Sequence, residues 1–450
     1  MSSNWSRYRL EELGDIVTGK TPPSKVQNAF SDSGTQFVTP RDMDGRRWID
    51  STERFLSESG VAAVKNSLVP SGSVAVSCIG SDMGKAVLLK VESVTNQQIN
   101  TLVVDTQKFN PKFVYYVLST KQDEFKSIAG GSATPILNKG HFGKFEIDLP
   151  TKDEQDFLVR CLDSLDSKIE NNTQTNQTLE QIAQAIFKSW FVDFDPVKAK
   201  IETLATGGST DDAELAAMGV ISAKTVDELN SLKTSNPEAF NKLAQTAALF
   251  PAAMQDSELG EIPEGWDNGI IEDVMQFSSE RVDVSGLNLR NYISTENMLE
   301  NKRGITTASS LPSVSSVPAF NENEILISNI RPYFKKIWLT EFKGGRSPDV
   351  LGFSLLDPEE TEFAYNLLYQ DRFFEYMMTT SKGAKMPRGD KSAIKQFSFP
   401  LPQKELRLVF SKHVRPFYPM IKNTNKESEH LHALRDALLP ELLSGNLGRS

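Results

Sequence analysis

Leu158-Val-Arg-Cys-Leu-Asp-Ser-Leu-Asp-Ser-Lys-Ile-Glu-Asn-Asn-Thr-Gln-Thr-Asn-Gln-Thr-Leu-Glu-Gln-Ile-Ala-Gln-Ala-Ile-Phe-Lys-Ser-Trp190 is the stretch that decides the architecture. Within it Leu158, Leu162, Leu165, Ile169, Asn172, Asn176, Leu179, Ala183, Ile186 and Trp190 recur at alternating steps of four and three. That spacing places one continuous seam on an α-helix and asks for a partner helix. The adjacent polar layers at Asn172 and Asn176 fix register at a cost in stability. A shift of 252 residues lands on Phe410, Val414, Phe417, Ile421, Thr424, Ser428, Leu431, Arg435, Leu438 and Leu442, polar at the same two layers. Two long helices packed on each other as an antiparallel coiled coil are therefore expected. The alternative is two amphipathic helices, each packed on its own domain. The second seam is the less regular, because Pro416 and Pro419 should kink or interrupt it and Arg435 breaks it. A helix of this kind, at 1.5 Å per residue, is a rod of roughly 57 Å.

A nearly constant offset recurs outside the helices. Phe113-Val-Tyr-Tyr-Val-Leu118 aligns with Phe363-Ala-Tyr-Asn-Leu-Leu368, and Gly131-Ser-Ala-Thr-Pro135 with Gly383-Ala-Lys-Met-Pro387. Phe145-Glu-Ile-Asp-Leu-Pro150 aligns with Phe397-Ser-Phe-Pro-Leu-Pro402, and Trp5 and Trp266 open the two copies. The chain reads as one module used twice. Residues 1–150 form a first globular domain and 151–192 a first helix. An acidic connection over 193–265 leads to a second globular domain at 266–402, and a second helix spans 403–450. Each globular part mixes strand-like runs, such as Val74-Ala-Val-Ser-Cys-Ile79 and Glu324-Ile-Leu-Ile-Ser-Asn-Ile330, with helical stretches such as Phe113 to Ile128, so the fold class is α+β. In the connection, Gly207-Gly-Ser-Thr-Asp-Asp212 reads as a flexible turn, with helical pieces at Val226–Leu232 and Pro237–Ala248.

At 450 residues, 39% hydrophobic and 24% charged, the composition is that of a folded chain of several domains. No segment is apolar enough for a signal peptide or a membrane span, so no membrane partner is expected. Two cysteines, Cys78 and Cys161, make neither a disulfide framework nor a zinc site, which fits a reducing cytoplasm. The net charge of −10 runs against the usual balance of a nucleic-acid binder. Residues 201–265 alone hold eleven acids against three bases, so most of the acidity sits in the connection. Binding to DNA depends on local positive patches, and the balance of the whole chain says little about it.

Several motifs tempt. Gly14-Asp-Ile-Val-Thr-Gly19-Lys20-Thr21 spells a P-loop, but Arg7 to Leu13 is too charged for a central strand. Pro22 and Pro23 also disfavour the helix that must follow. Gly80-Ser-Asp-Met-Gly84-Lys85 lacks one residue and the hydroxyl. Asn329-Ile-Arg-Pro-Tyr333 lacks the first proline of the adenine methyltransferase motif. The histidines His141, His413, His430 and His432 have no metal spacing. No catalytic residue, metal site or cofactor is expected. Cations do gather, and lysine and arginine neutralise phosphates while arginine also reads guanine. The candidate DNA-binding residues are Arg41, Arg46, Arg47, Lys85 and Lys139 (with His141) in the first copy. In the second copy they are Arg331, Lys335, Lys336, Arg346, Lys385, Arg388 and Lys391. For any one of them a solvated charged face is an equal alternative.

Thr18-Gly-Lys-Thr-Pro22, Leu149-Pro150 leading into Glu154-Gln155, and Ile186-Phe-Lys-Ser-Trp-Phe-Val-Asp-Phe-Asp-Pro196 carry a resemblance that spans nearly the whole chain. So do Gly260-Glu-Ile-Pro-Glu-Gly-Trp266 and Leu438-Leu-Pro-Glu-Leu-Leu-Ser-Gly-Asn-Leu447. The chain resembles the specificity subunits of type I restriction-modification enzymes. One departure is Lys404-Glu405-Leu406, where the second copy lacks a clean match to Glu154-Gln155. The resemblance implies two target recognition domains, each reading one half of a bipartite double-stranded DNA target. It implies a coiled coil that spaces the half-sites and seats two methyltransferase subunits, which use S-adenosylmethionine to methylate adenine at N6. Motor-nuclease subunits would complete the complex, and this chain would be a non-catalytic subunit. A P-loop nucleotide-binding enzyme and a coiled-coil adaptor without DNA specificity are the alternatives.

Overall fold

The structure, a computed structural model, describes residues 5–80, 82–129, 136–383 and 386–443. The chain is α+β with long helices and divides into two compact units, residues 1–171 with 427–450 and residues 172–426. The aligned turns at Gly131–Pro135 and Gly383–Pro387 fall wholly or partly outside the described residues.

In the first unit Ser6–Arg9 pairs antiparallel with Glu146–Leu149. The central strand Val74–Ser77 lies between Ile99–Val104 and Ala86–Leu89, with Gly14–Thr18 and Trp48–Ile49 at the edges. All four residues of Val74–Ser77 are buried, which explains why valines interleaved with small residues serve there in place of an apolar–polar alternation. A second five-stranded sheet has Thr35–Val38 at its centre. The second unit repeats the plan. Asp267–Ile270 pairs with Ser398–Leu401. The buried strand Ile325–Ser328 lies between Val350–Leu355 and Ile337–Leu339, with Met275–Phe277 outside. Even the register recurs, Leu102 facing Val74 in one copy and Phe353 facing Ile325 in the other.

The single helix expected from Phe113 to Ile128 is two, Pro111–Ser119 and Gln122–Ala129. The Ser119 and Thr120 hydroxyls donate back to the carbonyls of Tyr116 and Val117, each at 2.8 Å, and so close the first helix early. Its start follows from the Asn110 side chain, which accepts from the Lys112 amide at 2.9 Å, with Pro111 at the first helical position.

The first long helix runs Lys152–Phe191, 40 residues. The C-terminal stretch is two helices, Lys404–Val414 and Phe417–Leu443. Arg415 keeps helical backbone, but Pro416 has no amide to donate to the Lys412 carbonyl and its ring crowds that carbonyl, so the break falls there. Pro419 is tolerated because the third residue of a new helix has no intrahelical acceptor for its amide. In the second unit the Asn172 amide reaches the Thr424 carbonyl (3.4 Å) and Asn176 donates to Asn425 Oδ1 (2.7 Å). In the first unit Lys168 pairs with Glu427 at 3.2 Å, and Arg435, far from merely breaking the seam, donates to Asp166 at 3.0 Å.

The connection is more ordered than its composition suggests. Four helices, Asp195–Ala205, Thr210–Ser222, Val226–Ser235 and Pro237–Ala248, precede the hairpin of Met254–Ser257 with Gly260–Pro263. The stretch read as a flexible turn ends in a capping box, in which Ser209 and Asp212 satisfy each other's backbone amides and start a helix. Among the described residues no helix is long and apolar enough to cross a membrane.

Candidate nucleic-acid interface

Both copies bring the same two segments together beyond the end of the central strand. In the first unit the loop from Cys78 to Lys85 leaves Val74–Ser77 and meets residues 136–138. Ile79 bridges Ile136, and the Leu137 amide donates to the Cys78 carbonyl at 3.0 Å. Asn100, buried in the neighbouring strand, donates to the Leu137 carbonyl at 3.1 Å. Asn138 then caps the short helix Lys139–Gly143. In the second unit the loop from Asn329 to Lys336 leaves Ile325–Ser328 and meets Pro387–Asp390. Ile330 bridges Arg388, the Arg331 amide donates to the Pro387 carbonyl at 2.9 Å, and Asn329 Nδ2 donates to the Gly389 carbonyl at 3.2 Å. Asp390 caps the short helix Lys391–Lys395, in the place of Asn138.

The candidate cations divide by what already holds them. Arg331 and Lys391 in the second loop pair, Lys139 in the first, and Arg41 elsewhere are exposed and make no ion pair among the described residues. Arg388 pairs with Asp349 at 3.2 Å, Lys335 with Asp371 at 3.0 Å, Lys85 with Asp82 at 2.7 Å, and Arg46 with Asp44 and Asp50. These are exposed or half-exposed pairs worth about 0–1 kcal/mol, so a phosphate can compete for them. Lys336 donates to the Thr295 carbonyl at 2.9 Å, and burial lowers its pKa. Lys385 lies outside the described residues.

Two of the twelve candidates leave the set. Arg47 is 9% exposed and its guanidinium is spent on Asp163, Glu170 and Tyr116. Burial opposes its charge, but the Glu170 and Asp163 carboxylates more than compensate and hold its pKa above the ordinary value. Arg346 is 6% exposed and donates to the carbonyls of Ala319, Val350 and Ser278. Its role is to tie strands together, and burial lowers its pKa. Arg41 and Arg46 sit apart from the loop pair in sequence, on the segment entering the edge strand Trp48–Ile49. Sequence reasoning missed Asp349 and Asp371, the anions that pre-position Arg388 and Lys335. It also missed the exposed Ile136 and Met386 on the same loops. Nothing short of coordinates links residues 349 and 388.

The second loop stores strain where its cations are displayed. Arg331 and Lys335 both take left-handed backbone, each with φ of 50°, around the turn Pro332–Phe334. Tyr333 is exposed between them. The P-loop spelling fails geometrically, since Gly14–Thr18 is a β-strand paired with Ile99–Val104. The amides of Gly19 and Lys20 are already bonded to the Ile99 and Thr95 carbonyls, so none of these points at a phosphate. Among the described residues no three His, Cys, Asp or Glu side chains are grouped to hold a metal ion.

A sequence model described as the type I restriction modification DNA specificity domain matches residues 2–181. The type I restriction enzyme HindI specificity subunit of Haemophilus influenzae is 32% identical over 361 residues, covering 75% of this chain and 77% of that protein. The MjaIX specificity subunit of Methanocaldococcus jannaschii is 25% identical over 99% of this chain and 94% of its own length. Among solved structures, the S subunit of a type I restriction-modification system from M. genitalium aligns over 98% of this chain and 96% of that one, at 16% identity and a TM-score of 0.48. With nearly a third of its residues shared across three quarters of the HindI protein, the chain belongs to the specificity subunits of type I restriction enzymes.

Proposed function

We propose that this chain is the DNA-reading subunit of a type I restriction-modification complex and recognises a bipartite double-stranded target. Residues 1–150 and 266–402 each act as a target recognition domain for one half-site. The observation that carries this reading is the recurrence of one loop pair at the same place in both copies, cationic each time: Lys85 and Lys139 in one, Arg331, Lys335, Arg388 and Lys391 in the other. Exposed lysine and arginine on adjoining loops supply phosphate contacts that set register, and arginine among them can read guanine edges. The helices over 151–192 and 403–450 pair as an antiparallel coiled coil, supported by the bonds of Asn172 and Asn176 to Thr424 and Asn425. This pair spaces the half-sites and seats two methyltransferase subunits that bring S-adenosylmethionine, and motor-nuclease subunits bind the resulting complex. The subunit itself performs no catalytic step.

The test is methylation mapping by long-read sequencing in cells expressing the chain with its methyltransferase. Modified adenines in a two-part motif of fixed gap are expected, and exchanging residues 266–402 for those of a relative should change one half of the motif alone. A methylation pattern indifferent to this chain would overturn the proposal.

A further inference from the structure

Arg47, removed from the DNA-contacting set, stands at the centre of a junction that the DNA-reading role leaves unexplained. It leaves the first globular domain just before the edge strand Trp48–Ile49 and reaches the first long helix. Its Nη1 donates to Asp163 at 2.6 Å, and its Nε and Nη2 donate to the two carboxylate oxygens of Glu170 at 2.9 and 3.2 Å. Asp163, Asp166 and Glu170 are spaced three and four apart and so share one helix face. Tyr116, on a helix of the globular domain, donates to Asp166 at 2.6 Å, and Arg435 on the terminal helix donates to the other oxygen of Asp166 at 3.0 Å. Asp166 therefore joins three elements: domain helix, first long helix and terminal helix.

The second unit holds a node at corresponding positions with different chemistry. Tyr116 aligns with Asn366, and Asp166 shifted by 252 is Tyr418. Asn366 Nδ2 donates to Tyr418 Oη at 2.6 Å. Gln184 on the first long helix, one residue past the counterpart of Arg435, donates to Asn366 Oδ1 at 2.5 Å. Again a domain helix, the helix that follows it and the other long helix meet at one side chain. The bonds at Asp166 are ionic and those at Asn366 neutral, the second domain helix having its ionic tie elsewhere, in the fork of Arg415 onto Glu362 at 2.9 and 3.2 Å. Charge-assisted, forked hydrogen bonds have narrow geometry, and buried ones are costly to break.

We infer that these two nodes are positioning elements that fix the orientation of each recognition domain on the helices, and through it the number of base pairs tolerated between half-sites. This rests on the bipartite reading above. Arg47, Asp166 and Arg435 are then specificity-determining without touching DNA. The gap is set by how each domain is held as well as by helix length.

The experiment uses the complex reconstituted with its methyltransferase subunits and duplexes carrying the native gap or gaps one base pair shorter and longer. Arg435→Gln keeps the globular core untouched, and Arg47→Lys keeps the charge while losing the fork. Each is expected to leave the bases of both half-sites unchanged while lowering the preference for the native gap by about tenfold, the loss of one charge-assisted bond. Gln184→Ala, which removes a neutral bond, should lower the preference in the same direction by a smaller factor, about threefold. Unchanged gap preference in all three variants, whatever happens to their melting temperature, would show the nodes to be structural only and overturn the inference. Altered base preference in the Arg47 variant would overturn it in favour of direct readout. Wild-type complex that shows no bipartite motif at all would instead sink the reading beneath it.

Discussion

Replacing Arg331, Arg388 and Lys391 together by Ala removes three cations from one loop pair without disturbing the core. Arg331 and Lys391 are exposed and unpaired among the described residues, and Arg388 gives up one exposed pair to Asp349. The cost in stability should therefore stay near 0–1 kcal/mol. The cost in binding should be large and salt-dependent. Each phosphate contact contributes about 0.9 to the slope of log affinity against log salt, so three contacts lower the slope by about 2.7. Between 50 and 200 mM salt, a fourfold range, the difference between wild type and variant then narrows by roughly 40-fold. Fluorescence anisotropy of a labelled duplex, titrated across that range, reads both quantities. If Arg331 also reads a guanine, restoring Arg388 and Lys391 while leaving Arg331→Ala should cost about 1–3 kcal/mol on the cognate duplex alone. A triple variant whose affinity falls equally at all salt concentrations would refute the phosphate assignment. An unchanged affinity would refute the interface.

Two further perturbations test the second unit. Phe187 is 1% exposed and stacks against Phe191, Phe363 and Phe410 with centroids 5.1–5.5 Å away, so Phe187→Ala should lower unfolding free energy by about 3–5 kcal/mol in a denaturant titration. Glu180 has its pKa pushed up to about 7 by burial, against the opposing pull of the Tyr369 hydroxyl and Lys302. The folded chain thus holds this proton when the unfolded chain has lost it, and the associated stability is present below the ordinary glutamate pKa and lost as pH rises to about 7. Glu180→Gln should remove that loss and raise the melting temperature at pH 8, with a gain on the order of 1 kcal/mol; a melting temperature equal to wild type at pH 8 and pH 5 would contradict it.

What the sequence showed plainly was whatever depends on neighbours in sequence. The seam from Leu158 to Trp190 is a local periodicity, and it lies within one helix, Lys152–Phe191. The break at Pro416 is likewise local, because one missing amide and one clash decide it. The charge of Arg47 and Arg346 was equally plain, but their use was not. Arg47 finds its carboxylates 116 and 123 residues away, and Arg346 finds the Ser278 carbonyl 68 residues back. A cation is a DNA contact or an internal brace according to partners that no local pattern names. The same holds for Arg435, which spoils a heptad seam and yet answers Asp166, 269 residues earlier. Misfits in a periodic pattern are therefore informative in their own right. A charged residue at a seam position is costly unless something buried balances it, so its presence points to a partner elsewhere in the chain. Here that partner sits in the node where helix, helix and domain meet, and the residue least consistent with a plain coiled coil is one that specifies how the domain is held.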